Sequence, residues 1–352
     1  MIKTIIGKTD FIESLRGKKA TFMLALSNTK TANIDGITQA GIPGMIYLTP
    51  TLDSEFLCTG EVRSLGKIAK TPKGVPTPAL ITRGVHLLAP YGRIELLNLG
   101  LEIKPKLEYF TQHTFGITPS DNIAKGAGIK SQDLFQRGVG FGQSYQCKDE
   151  YIILGESVPS GTTTALATAI GLRYRVEGMF SSSFKNKPND IKERVIKIAL
   201  SNVTNKNNIF HALDNLSDNM LIFCAGFLMG LNNRYKVVLA GGTQMACVLL
   251  VMNKILKLMN GTMETSNIAL CTTKWVAEDE YSDIKGLLKM LSFPVNAFYA
   301  DFDFSLTEHP ALKLYDEGEA KEGVGAGGAL VYGFLNGLSK ESITRQIEEF
   351  FR

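Results

Sequence analysis

Three glycine-rich turns are the places where this chain could do chemistry. The first lies in residues 151–172, YIILGESVPSGTTTALATAIGL. An apolar run leads into Gly155-Glu156, and after a tight loop Gly161-Thr162-Thr163-Thr164 opens a helix of small residues. That layout offers backbone N–H groups and three hydroxyls at a helix N-terminus, where the dipole favours an anion such as phosphate. Ordinary capping by Thr162 or Thr163 is the competing reading. A Walker A loop is excluded, because the step from Gly155 to Gly161 is one residue too long and no lysine follows Gly161.

The second turn is 317–329, EGEAKEGVGAGGA. It sets Glu322 at the entrance to a helix start whose bare backbone can approach a ligand closely; a surface glutamate with no task is the bland alternative. Residues 323–328, which include Gly323 and Gly325, formally satisfy G-x-G-x-x-G. The residues before them are charged and turn-like, and no βαβ unit has room to follow, so an NAD(P)-dependent oxidoreductase is the weaker reading. The third turn, in 236–250 (KVVLAGGTQMACVLL), again reads as strand, Gly241-Gly242 and helix. Its apolar run and Gly-Gly-Thr resemble the loop of enzymes that use phosphoribosyl pyrophosphate. It lacks their paired acidic residues, since Ala240 stands there.

Other constellations are weaker. The four histidines (His86, His113, His211, His309) are far apart and show no ligand spacing. Asp301 and Asp303 of DFD share one strand face and suit Mg²⁺ or, more ordinarily, a solvated strand end. The hydrolase G-x-S-x-G elbow is absent. Trp275 reads equally as packing or as a ring platform.

Composition bounds the partners. The chain has 352 residues, 44% hydrophobic and 20% charged, which is enough apolar material for a sizeable core. Net charge is +4, from 38 basic and 34 acidic residues, too mild for a nucleic-acid or membrane partner. Five scattered cysteines without a C-x-x-C pair argue against a disulfide framework and a structural zinc site, and for a reducing compartment. The first eight residues carry no apolar h-region, and the apolar stretches 221–231 and 237–252 fall short of the roughly 20 residues of a membrane span. A soluble cytoplasmic protein is expected.

The elements that must position these turns are strand-like runs at 21–27, 44–48, 94–99, 151–154, 236–240, 268–272 and 297–302. They are continuous rather than alternating, as strands buried on both faces are. Helical patterns lie between them at 164–172, 191–200, 218–231, 244–259 and 283–290. Alternation of this kind predicts α/β architecture: a doubly wound, mostly parallel sheet in a Rossmann-like three-layer arrangement, with a smaller helical portion from the chain ends. Residues 71–78 and 180–189 read as surface loops. Residues 339–351 read as a capped amphipathic helix docking the terminus, with Ser339 and Ser342 as N-cap candidates.

Placed in order, the turns resemble the nicotinate-nucleotide–dimethylbenzimidazole phosphoribosyltransferase family, more narrowly its divergent archaeal branch. The family's GEMGIGNTTSA resembles residues 155–165 without a gap. Its NIAxG segment is similar to 122–126, its phosphate-contacting helix to 192–200, its VVLDGFxxSA loop to 237–246 and its GEGTGAALA loop to 321–329. The likeness runs in register over about residues 80–335.

The resemblance implies a single phosphoribosyltransferase unit over 1–352, with an α/β core at about 20–335, and a homodimer. It implies transfer of ribose phosphate from nicotinate mononucleotide to an aromatic base such as dimethylbenzimidazole, without metal or cofactor, for cobamide lower-ligand synthesis. Glu322 is then the general base, Glu156 a neighbour of base and ribose, and Lys192 a phosphate contact. Gly161, Thr162, Thr163, Gly241, Gly242, Gly323 and Gly325 belong to the substrate cradle. Ser157 stands where the family has Met, and Val158 where it has Gly, so the base pocket differs in shape and polarity. Ala240 replaces the family's Asp and removes one expected polar contact. A nucleotide- or phosphate-binding protein that has lost the chemistry is the alternative.

Overall fold

A computed structural model describes residues 1–185, 189–205 and 207–352; part of the 180–189 loop therefore lies outside the described residues. The eight strands are β1 (Ile2–Ile6), β2 (Ala20–Leu26), β3 (Arg93–Asn98), β4 (Thr111–Thr114), β5 (Tyr151–Ser157), β6 (Val237–Ala240), β7 (Ile268–Thr273) and β8 (Asn296–Ala300). They form one sheet in the order β1-β8-β7-β6-β5-β2-β3-β4. All pairs are parallel except β1 with β8. The chain builds outward from β2 through β3 to β4, then crosses to β5 and builds outward the other way. The order thus reverses between β2 and β5, and in open α/β sheets ligands bind at the carboxyl ends of the strands beside such a reversal.

Side chains alternate cleanly across the sheet. Phe22, Leu24 and Leu26 of β2 and Tyr151 and Ile153 of β5 face a layer made by the two chain ends, including the helices Thr49–Thr59, Ala79–Leu88, Ala326–Leu335 and Lys340–Glu348. Met23, Ala25, Ile152 and Leu154 face the layer made by the middle of the chain. Both layers are apolar, so the inner strands read as unbroken hydrophobic runs. Ser339 caps the last helix, exchanging bonds with Ser342, and Ile343 and Ile347 are buried.

The expected strand at 44–48 is not one. Ile46–Leu48 is a short 3-10 turn that leads into the helix Thr49–Thr59, with Pro50 in its first turn. Proline there has its ring preset for a helix and lacks a donor that the helix start does not need, so the apolar run is a helix entry.

In the middle layer two helices, Ser131–Ser144 and Asn219–Leu231, cross at glycines. A Cβ at Gly226 would lie 2.2 Å from the Phe135 carbonyl oxygen, and one at Gly138 would lie 2.3 Å from that of Phe223. Backbone meets backbone here, so no side chain can yield. Gly226→Val is expected to lower stability by about 3 kcal/mol or to prevent folding; an unchanged midpoint in urea would show that the helices can separate without cost.

Candidate active site

At the carboxyl ends of β5, β6 and β7 lies a cleft of about 900 Å³, its solvent-open mouth included. Its lining includes Glu156, Ser157, Ser160, Gly161, Thr162, Gly242, Glu322 and Gly323. Three turns drawn from residues 156 to 323 therefore meet in one place. Thr163, Gly241 and Gly325 sit behind that lining. Gly325 is wedged against Phe22, Ala240 and Gly155.

One end of the cleft is a helix start with a buried lysine beside it. The helix Gly161–Gly171 starts at Ser160, which holds a left-handed backbone (φ 65°) and whose buried Oγ has no partner. Lys192, 7% exposed, comes from the neighbouring helix Asn189–Ser201, and its Nζ donates to Thr162 Oγ1 and Ser182 Oγ, each at 3.2 Å. A helix N-terminus, an unpartnered hydroxyl and a buried ammonium on one spot favour a phosphate-sized anion. The segment 122–126 does not line the cleft. It forms a 3-10 turn under the Lys192 helix, with Asn202 Nδ2 donating to the Ala124 carbonyl, so it supports the cradle from behind.

Glu322 closes the opposite wall. Its Oε2 accepts from Thr273 N at 2.9 Å and Thr272 Oγ1 at 3.1 Å, and its Oε1 from Gly327 N at 3.0 Å and Gly323 N at 3.3 Å. The carboxylate thus sits on the N-terminus of the helix Ala326–Leu335. Its loop is fastened by Val324 N donating to the Glu156 carbonyl and Thr82 Oγ1 donating to the Val324 carbonyl. Val324 itself carries φ 52°, costly for a β-branched residue and tolerated where the surroundings force it.

Gly327 and Gly328, at the end of the dinucleotide-like segment, serve packing. A Cβ at Gly327 would meet Thr272 backbone at 2.2 Å, and one at Gly328 would meet Ala240 Cβ at 2.4 Å. This helix lies directly on β6 and β7, with no space between for a pyrophosphate. The same contact corrects the reading of Ala240. It is fully buried on the sheet face under that helix and does not line the cleft, so its lack of a carboxylate takes nothing from the site.

Burial pushes the Glu156 carboxyl up to about 8, with Glu322, Asp218 and Asp53 adding to the rise against one hydrogen bond from Val158 N. Burial likewise pushes Glu322 up to about 7, against its four donors. Burial and the charge of Glu322 thus push Glu156 toward its neutral form, beside a glutamate that is itself raised toward neutrality.

A stability prediction follows for Glu156. Its folded pKa lies above the ordinary 4.5, so the stability it contributes is full below that value and is lost as pH rises through about 8. Glu156→Gln escapes that loss. Its melting temperature relative to the unsubstituted protein should rise by a few degrees between pH 5 and pH 8, and a pH-independent difference would contradict the assignment.

Sequence reading missed the third carboxyl of the cleft, Asp53, carried by the helix Thr49–Thr59. Its Oδ1 accepts from Thr77 Oγ1 at 2.6 Å and its Oδ2 from Ser157 Oγ at 2.7 Å. Other candidates fall away. Asp301 is held by Lys3 and Lys274, and Asp303 by Lys274 and Lys340. Trp275 packs among Phe302, Phe304 and Tyr315 and donates from Nε1 to Asp316. Among the described residues no group of histidine, cysteine and carboxylate is arranged for a metal, and no helix is long and apolar enough to cross a membrane.

Comparison with known proteins places the chain. No family model matches it. The UPF0284 protein of Sulfurisphaera tokodaii is 34% identical over 354 residues, covering 100% of this chain and 97% of that relative. The chain belongs to the UPF0284 family. The UPF0284 protein of Metallosphaera sedula is 32% identical over 342 residues, 96% of this chain and 95% of its own. Among solved structures, this UPF0284 chain is similar to nicotinate-nucleotide-dimethylbenzimidazole phosphoribosyltransferase from Thermus thermophilus. The TM-score is 0.59 at 13% identity, covering 95% of this chain and 84% of that one. A second structure, CobT from the same organism, gives 0.57 at 13% identity, covering 94% and 84%. At such identity the likeness establishes the fold, the doubly wound α/β arrangement expected from the sequence.

Proposed function

We propose that this UPF0284 protein is a phosphoribosyltransferase that moves the ribose phosphate of nicotinate mononucleotide onto a ring nitrogen of an aromatic base and releases nicotinate. The observation that carries the reading is a single cleft lined both by the helix start Ser160-Gly161-Thr162, with the Lys192 ammonium bonded to Thr162 behind it, and by the carboxylate of Glu322. The fold shared with the Thermus enzyme supports it.

In the reaction the attacking nitrogen forms a bond to C1′ while the C1′–pyridinium bond breaks. Its electron pair returns to the nicotinate ring nitrogen, which was cationic in the substrate and so leaves without acid help. The acceptor's other ring N–H gives its proton to Glu322, which spares the new nucleotide a positive charge. Glu156, pushed toward its neutral form, keeps a second negative charge away from that base. Holding two flat rings and a ribose phosphate in line supplies the larger share of the acceleration.

The direct structural test is a complex with nicotinate mononucleotide. The phosphate is expected at the Ser160-Gly161-Thr162 turn beside Lys192, with C1′ turned toward Glu322. A phosphate bound outside the 160–162 turn would overturn the reading.

A further inference from the structure

The cleft lining also carries a buried, hydrogen-bonded polar pair, Asp53 and Ser157. Asp53 is 2% exposed and Ser157 5%, and the two are joined by a 2.7 Å hydrogen bond. Each Asp53 oxygen takes one hydroxyl, Thr77 on one side and Ser157 on the other. An ionised carboxylate has no proton to offer, so both hydroxyls must be the donors, and each has only one proton to give. Thr77 Oγ1 also accepts from Ala79 N at 3.2 Å. Ser157 Oγ, its one proton given to Asp53, keeps both acceptor lone pairs. It can accept a hydrogen bond in the cleft and cannot donate one. Burial lifts Asp53 only to about 6, so it is ionised at neutral pH and the direction of the bond is fixed.

Around the pair the lining mixes Ala40, Ala69, Val75, Pro78 and Val158 with Thr71 and Thr77. Its apolar members can cover the faces of a flat ring while the polar pair meets its edge. We propose that the acceptor is a nitrogen heterocycle carrying an amino or hydroxyl donor on the edge remote from its attacking nitrogen, and that Ser157, oriented by Asp53, selects it by accepting that donor. The inference rests on the transferase reading and deepens it. A base with a methyl group at that position would press an apolar surface on the hydroxyl and leave its lone pair without a partner. Sites built around a buried hydrogen bond reject analogues that lack it more strongly than apolar pockets reject an added group. Ser157 is then a specificity residue, and Asp53 acts through it as a positioning residue.

The test compares an aminobenzimidazole with the methylbenzimidazole substituted at the same ring carbon, two bases of nearly equal size, using the full chain and nicotinate mononucleotide. The amino base should be preferred in kcat/KM by about tenfold or more, mostly through KM. In Ser157→Ala the ratio should fall to about one. In Asp53→Asn, where the amide can turn the serine proton around, it should fall at least partway, and Ser157→Ala decides the matter if the Asp53 variant does not fold. Equal use of the two bases, or a preference that survives Ser157→Ala, would overturn the proposal while leaving the transferase intact. Should neither benzimidazole release nicotinate, the comparison passes from turnover to binding. Calorimetric affinities of the two bases for the nucleotide-loaded protein then decide the proposal: about a tenfold difference lost in Ser157→Ala supports it, and equal affinities overturn it.

Discussion

Glu322→Gln should lose turnover by at least about 10²-fold while nicotinate mononucleotide binding changes little. Glutamine keeps the length of the side chain but cannot take the proton that the acceptor must shed. It also meets N–H donors on both sides, from Gly327 and Thr273, so its amide must turn an N–H toward one of them at some cost in stability. Nucleotide affinity and melting temperature therefore belong in the same experiment, because a structural cause would depress both. In the unsubstituted protein kcat/KM should climb with pH through a limb near 7, where Glu322 sheds its proton, since the base works only when ionised. The glutamine variant should lack that limb. Full turnover in Glu322→Gln would remove the residue from the mechanism.

The second large effect is expected at Lys192. Its ammonium sits at the helix start that faces the proposed phosphate, remote from the C1′ bond. An interaction made equally in substrate and transition state affects KM rather than kcat. Lys192→Ala should raise KM for nicotinate mononucleotide by about 10- to 100-fold, the worth of a charge-assisted hydrogen bond, with kcat nearly unchanged. A loss confined to kcat would contradict the phosphate assignment.

The inner strands and the three turns were legible because parallel strands covered on both faces carry unbroken apolar runs, and because Gly-Glu, Gly-Gly and Gly-rich turns punctuate them. The edges were not. β4 has the polar sequence TQHT and is largely exposed, and β1 is a short, half-buried strand that pairs antiparallel, so neither shows a buried-strand pattern. The helix Thr49–Thr59 was illegible for the opposite reason. It is buried on nearly every side, polar residues included, and thus shows no amphipathic stripe. Asp53 was hidden with it, and so was the wall that meets Ser157. Ala240 misled because sequence order places it in a loop motif, whereas the alternation of β6 turns it under a helix.

Release of free nicotinate from nicotinate mononucleotide, followed with and without an added aromatic base, addresses the central claim most directly. The account predicts release that requires the base and keeps pace, one for one, with formation of the base's ribose-phosphate derivative. No release with any nitrogen heterocycle, from a folded protein that still binds the nucleotide, would contradict it.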